Sequence, residues 1–304
     1  FTLKIASIIG RNFREKILQH VLSNRAPKIN LMEQLSRLES LGMIKIAQIH
    51  PELTYQFQHI LMYEATYHGI LKSDRSELHL AAGLALEELY PDQKEQFASQ
   101  LAFHFLEGGD LSKAFIYLDL AGHRAKDSYA NAEAESYFLR AIQLAKNPDN
   151  FAHLSTDLGE VLAQQGKHRD AIQAWEQAIQ YHKKLGNTDQ IAQIYGWSAR
   201  SARRNHDNSR ILDICREGLQ AIKGAVESPA IAYLLHEISR ACLFTDQPDQ
   251  ARMFSEKALH IARRLDAFDV QVEALATIGI LPDTEPKQAI AALEIAIRIS
   301  EEHK

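Results

Sequence analysis

Asp157-Leu158-Gly159-Glu160-Val161-Leu162-Ala163-Gln164-Gln165-Gly166, followed by Lys167-His168-Arg169-Asp170-Ala171-Ile172-Gln173-Ala174-Trp175-Glu176-Gln177-Ala178-Ile179-Gln180-Tyr181, is the stretch from which the fold follows. Gly159 stands twelve residues before Ala171, and Trp175 and Ala178-Ile179 follow Ala171 at helical spacing. Gly159 and Ala171 remove bulk where two antiparallel helices must come close, and Trp175 fills the space between one hairpin and its neighbour. Gly166 supplies the turn, because glycine enters the left-handed conformation that ends a helix at little cost. One such hairpin cannot bury its apolar face alone, so the stretch predicts neighbours of the same kind.

Comparable runs begin at Ala134 (Phe138, Ala141-Ile142), Ile211 (Cys215, Gly218-Leu219), Ala251 (Ser255, Ala258-Leu259) and Ala289 (Leu293, Ala296-Ile297). Counted through Ala171, the intervals are 37, 40, 40 and 38 residues. A Leu-Gly pair in one helix and Ala-x3-aromatic-x2-Ala in the next resembles the tetratricopeptide repeat (TPR). The Ala171 unit carries that match by itself; the others are degenerate, and their shared period carries the inference.

The chain has 304 residues, 46% hydrophobic and 24% charged, enough for two domains or one long solenoid. No apolar run approaches the ~20 residues of a membrane span, and the start does not resemble a signal peptide. The first residue is Phe1, so a piece of a longer polypeptide is expected. Two isolated cysteines, Cys215 and Cys242, offer neither zinc spacing nor a disulfide framework and suit packing in a reducing cytoplasm. The net charge of -5 divides as +3 for residues 1–70, -5 for 71–150, +2 for 151–224 and -5 for 225–304. None of these is basic enough to imply nucleic acid.

Residues 1–70 do not follow the repeat. Leu3 to Ile9, Phe13 to Leu22 and Leu31 to Leu41 read as helices, the last with a stripe of Leu31, Leu35, Leu38 and Leu41. Met43 to Ile49 and Leu53 to Phe57 read as two strands around His50-Pro51-Glu52, because alternation replaces the helical period and Pro51 cannot continue a helix. Three helices and a small hairpin form a winged-helix pattern. Its third helix carries Glu33, Arg37 and Glu39, a balance that repels a phosphate backbone and favours a structural or regulatory role over DNA reading. Residues 71–130 are expected to be a helical connector with the first hairpins, and 131–304 superhelical repeats. The fold class is therefore mainly α, a winged-helix-like module followed by an α-solenoid of TPR-like hairpins.

The run Tyr55-Gln56-Phe57-Gln58-His59, Tyr63-Glu64-Ala65 and Tyr67, continuing through Arg75, Leu78-His79 and Ala85-Leu86-Glu87 to His104, Gly108-Gly109-Asp110, Tyr117-Leu118 and Ala121-Gly122, resembles bacterial signal-transduction ATPases with numerous domains (STAND). It looks like the region just after their ATPase module, and Ala6-Ser7-Ile8-Ile9-Gly10-Arg11-Asn12-Phe13 resembles the start of their winged helix. The resemblance implies an upstream module that binds ATP and contacts this region within the polypeptide, and repeats that sense or recruit a partner. No Gly-x4-Gly-Lys-Ser/Thr loop occurs in this sequence, so no cofactor is expected within it.

His59, Glu64, His68 and His79 do not make a ligand set such as His-Glu-x2-His, so they are expected to hydrogen-bond structurally, with no metal site. Tyr55, Phe57, Tyr63 and Tyr67 are expected to form the seam between the wing and the helices that follow. The first helix of each TPR hairpin lines the concave groove, which places the candidate partner-binding residues at Arg200, Arg203 and Arg204 on one helix and Tyr233, His236, Arg240 and Phe244 on the next. That cationic and aromatic surface suits a protein or peptide partner, in particular an acidic segment. The expected function is a non-catalytic sensor region of a cytoplasmic signalling ATPase. The alternative is a transcription regulator whose winged helix contacts DNA and whose repeats bind an inducer.

Overall fold

The computed structural model describes residues 1–25 and 30–303, which divide into two compact units, Phe1–Leu144 and Ala145–Lys304. The first unit opens with α1 (Thr2–Ile9), β1 (Asn12–Arg14), α2 (Glu15–Arg25), α3 (Leu31–Ser40), β2 (Ile44–Gln48) and β3 (Thr54–Phe57). The strands form an antiparallel sheet in the order β1-β3-β2. This is the expected winged-helix-like start with one correction. The second helix begins at Glu15, because Asn12–Arg14 pairs with β3 and sets Phe13 opposite Tyr55, their rings stacked 5.9 Å apart. A cross-strand aromatic pair outweighs the helical spacing of Phe13 with Ile17. The leucine stripe of α3 is also only partly inward: Leu35 is fully buried, whereas Leu41 is exposed.

The unit continues through α4 (Ile60–His68), α5 (Lys72–Leu89), α6 (Ala98–Glu107), α7 (Leu111–Asp127) and α8 (Asn131–Leu144). The predicted aromatic seam is present. Phe13 meets Phe57, Phe57 meets Tyr63, Tyr63 stacks on Tyr67, and Tyr67 lies edge-on to His79 of α5. In the α7/α8 hairpin a Cβ on Gly122 would come 2.6 Å from the Phe138 ring, so glycine is needed for the helices to close.

The second unit is an array of antiparallel helices: α9 (Pro148–Gln164), α10 (His168–Leu185), α11 (Thr188–Arg204), α12 (Asn208–Ala221), α13 (Pro229–Phe244), α14 (Pro248–Arg264), α15 (Phe268–Gly279) and α16 (Pro286–Glu302). Asn147 and Ser228 cap α9 and α13 through their side chains, each with proline at the first helical position. A Cβ on Gly159 would overlap the Trp175 indole, whose Nε1 donates to the Thr156 carbonyl at 3.1 Å. The anchor stretch is therefore one tightly nested hairpin. Gly166, His206 and Asp246 end the first helices of successive hairpins with φ of 76°, 56° and 60°. The same left-handed turn recurs whether or not glycine occupies it. Cys215 and Cys242 are buried and free, and burial pushes the Cys215 thiol up to about 12.

Candidate functional site

On α11, Gln193, Trp197, Arg200 and Arg203 follow one another at four- and three-residue steps and share a face. Gly196 lies between them and brings the next first helix close: a Cβ there would stand 2.5 Å from the Tyr233 ring of α13. The ring occupies that space, and the Arg200 guanidinium sits over it, 5.2 Å from its centroid. Trp197, Arg200, Tyr233, Phe268, Glu273 and His303 line a cavity of about 590 Å³ among α11, α13, α15 and the end of α16. Such a volume suits a ligand the size of one or two side chains.

The charges at this site are mutually arranged. Arg200 donates through Nε to Glu237 at 2.6 Å and through Nη2 to both oxygens of Glu273 at 2.8 and 3.1 Å. Arg203 donates to the other Glu237 oxygen at 3.1 Å. Burial opposes the Arg200 charge, but Glu237, Tyr233 and Glu273 together hold its pKa above the usual arginine value. Burial pushes the Tyr233 hydroxyl up, with Glu237 adding to the effect. His236 is buried, Nε2 lies 3.3 Å from Glu273, and burial lowers its pKa to about 4, so it is neutral near pH 7. Burial and the Arg203 charge lower the pKa of Arg240.

Four buried atoms here have no hydrogen-bond partner: Tyr233 Oη, Arg203 Nε, Arg240 Nε and His236 Nδ1. Three are donors, and three guanidinium groups face two carboxylates. The buried ion-pair cluster is therefore short of acceptors, but the cavity beside it is lined by Asp266, Asp269 and Glu273 against Arg200, so its walls carry an excess of carboxylates. His236, Glu237 and Glu273 also bring ligand atoms within 4.8 Å of one another, but Arg200 bridges both carboxylates and supplies their counter-cation.

Of the predicted partner-binding residues, Arg200, Arg203, Tyr233, His236 and Arg240 gather in this cluster. Phe244 is exposed and lies under Arg203 and Arg240, at 5.4 and 5.9 Å from the guanidinium carbons. Two expectations need correction. Arg204 is exposed outside the cluster, where its charge acts on His168 of α10. His236 is too buried to be a surface contact. Glu237 binds Arg200 and Arg203, and Trp197, Glu237, Phe268 and Glu273 were not singled out from the sequence. The signal was the repeat itself: Arg200, Glu237 and Glu273 lie 37 and 36 residues apart, about one period, which sets them side by side on adjacent first helices.

In the first unit His79 forms a different cluster. Its Nε2 lies 3.0 Å from the Tyr67 hydroxyl and its Nδ1 3.0 Å from Nδ1 of His104. Burial lowers their pKa values to about 4 and about 3, with Arg75 adding to the effect on His79 and His79 to that on His104. His59, Glu64 and His68 are exposed and do not join this cluster.

A helical-repeat protein with a ligand-sized groove across its first helices is the class these features define. No protein-family model and no curated protein matches the chain. Its fold is similar to that of a signal-transduction ATPase with numerous domains carrying a tetratricopeptide-repeat sensor, from Pyrococcus horikoshii, at 12% identity and a TM-score of 0.53 over 99% of this chain and 56% of that one. It is also similar to BtubC from P. vanneervenii, at 17% identity and 0.52 over 75% and 91% of the two chains. A Rap protein complexed with competence and sporulation factor matches at 12% and 0.52 over 99% and 78%. The chain thus spans just over half the length of the ATPase, and at these identities the likeness is one of fold. No helix among the described residues is long and apolar enough to cross a membrane.

Proposed function

We propose that this chain is the non-catalytic sensor region of a larger bacterial, cytoplasmic STAND-type ATPase, and that the α11/α13/α15 groove captures a protein or peptide. Residues 1–70 serve as a structural winged-helix module, 71–130 as the helical connector and 131–304 as the partner-binding repeats. ATP binding belongs to a module elsewhere in the polypeptide, which this region contacts. The observation that carries the reading is the cavity lined by Trp197, Tyr233 and Phe268 beside Arg200, where apolar area adjoins a buried ion-pair cluster. The similarity to the repeat sensor of the ATPase supports it at the level of fold. Exposed Glu33 and Glu39 on α3 weigh against DNA as the ligand.

Substituting Arg200, Arg203 and Arg240 by glutamate is not a clean test, because Arg200 and Arg203 neutralise Glu237, which is 1% exposed. Trp197→Ala with Phe268→Ala removes apolar walls of the cavity and leaves the ion pairs in place. Peptide arrays probed with the wild-type chain should yield a selected set that the double variant no longer retains at unchanged helical circular dichroism. Equal retention by both proteins would overturn the assignment of the groove.

A further inference from the structure

We propose that the cavity among α11, α13 and α15 takes a cationic side chain, so that the segment captured by this groove is a basic one that presents an arginine. The inference rests on the groove as a peptide site and adds the chemistry of its occupant. The arginines that suggest an acidic partner from the sequence are already committed: Arg200 to Glu237 and Glu273, and Arg203 to Glu237. Around the cavity itself, Asp266, Asp269 and Glu273 stand against Arg200. Asp266 and Asp269 are exposed, and neither makes a side-chain hydrogen bond or ion pair among the described residues. Arg263 and Arg264 end α14 outside these walls, and Arg264 is held by Glu227 at 2.6 Å.

Local reasons account for each aspartate singly: Asp266 holds a left-handed turn with φ of 51°, and Asp269 lies in the first turn of α15, where the helix dipole favours a carboxylate. They do not account for both opening on one cavity beside an indole. Trp197 lines that cavity and is half-buried. Arg200 already covers the Tyr233 ring and His303 is stacked on Phe268, whereas no cation lies over Trp197 among the described residues. A guanidinium suits this pairing, because it stacks on an indole and binds carboxylates through paired N–H groups. The surrounding field has the same sign. Residues 225–304, which supply both free aspartates, carry a net charge of -5, which draws in cations and repels an acidic segment before contact. Binding a cation at the aspartates also leaves the Arg200 pairs in place, so capture strands no buried charge.

The test follows the indole N–H signals of the ¹⁵N-labelled chain, which has two tryptophans; the Trp197 signal is assigned from its loss in Trp197→Phe. Titration with acetyl-Gly-Arg-Gly-amide should move that signal saturably. The same peptide with uncharged citrulline in place of arginine, and acetyl-Gly-Glu-Gly-amide, should not. Asp266→Asn with Asp269→Asn keeps side-chain shape and a residue that tolerates the left-handed turn, and removes both charges. The double variant should bind the arginine peptide about tenfold more weakly, the equivalent of two exposed ion pairs, at unchanged helical circular dichroism. Equal binding of the citrulline or glutamate peptide, or undiminished affinity in the double-asparagine variant, would overturn the inference. If the arrays select peptides that depend on Trp197 and Phe268 but are not enriched in arginine, the peptide groove stands and the cationic occupant falls. If neither the tripeptides nor any array peptide binds, both fall.

Discussion

His79 and His104 in the first unit and His236 in the second are all buried and held neutral, yet their surroundings are built to different ends. The first pair sits in a closed chain. Tyr67 can donate to His79 Nε2, and the Nδ1 hydrogen of His79 then donates to His104. His236 instead borders an ion-pair cluster whose Nδ1, Tyr233 hydroxyl and two arginine Nε atoms lack partners. A satisfied polar network fixes a fold, whereas each unpaired group in a buried ionic cluster is a desolvation cost that the surrounding packing has to offset.

The sharpest way to break this contrast is to remove the carboxylate on which the second cluster depends. Glu237→Ala should cost about 3–5 kcal/mol of unfolding free energy in urea titrations, because it leaves Arg200 and Arg203 without their buried partner. A loss below 1 kcal/mol would mean that the cluster is solvated and not organised by Glu237. In the first unit, His79→Leu should cost about 2 kcal/mol by orphaning Tyr67 and His104, and adding His104→Leu should recover part of that loss. Strict additivity in the double-mutant cycle would dissolve the network.

Acid should distinguish the histidine pair further. An unfolded histidine takes a proton as pH falls through about 6.5, whereas folded His79 resists until about 4 and His104 until about 3. Unfolded chains therefore bind more protons in that window, and stability falls with pH by up to roughly 1.4 kcal/mol per pH unit for each group. The slope should start below about pH 6.5 and flatten near 4 to 3, and the His79→Leu/His104→Leu protein should lose most of it while His236, also lowered to about 4, keeps its share. The smallest effect concerns the shared turn. His206 takes a left-handed φ of 56° where the anchor hairpin has Gly166, so His206→Gly should raise stability by about 0.5–1 kcal/mol in the same titrations.

The positions of the hairpins were legible because close helix contact leaves a local mark: Gly159 against Trp175 and Gly122 against Phe138 recur one period apart. The anchor turn was legible for a similar reason, as Gly166 takes the left-handed conformation that ends its helix, with φ 76°. The predicted groove face on α11 and α13 was largely recovered, because residues at three- and four-residue steps share a side of any helix. Arg204, four residues after Arg200, has the spacing of a shared face but is exposed as the last residue of α11, outside the cluster, a placement that depends on where the neighbouring helices pack.

The sequence alone determined that this chain is a winged-helix-like start followed by stacked hairpins, since periodicity and small-residue spacing are local properties. Only the tertiary structure decided that Phe13 joins a sheet, that Glu237 and Glu273 share Arg200, and that His79 meets His104. Those outcomes depend on which distant segments arrive at one place, and an ion pair or a cross-strand contact is worth something only once packing has brought its partners within reach and excluded water from around them.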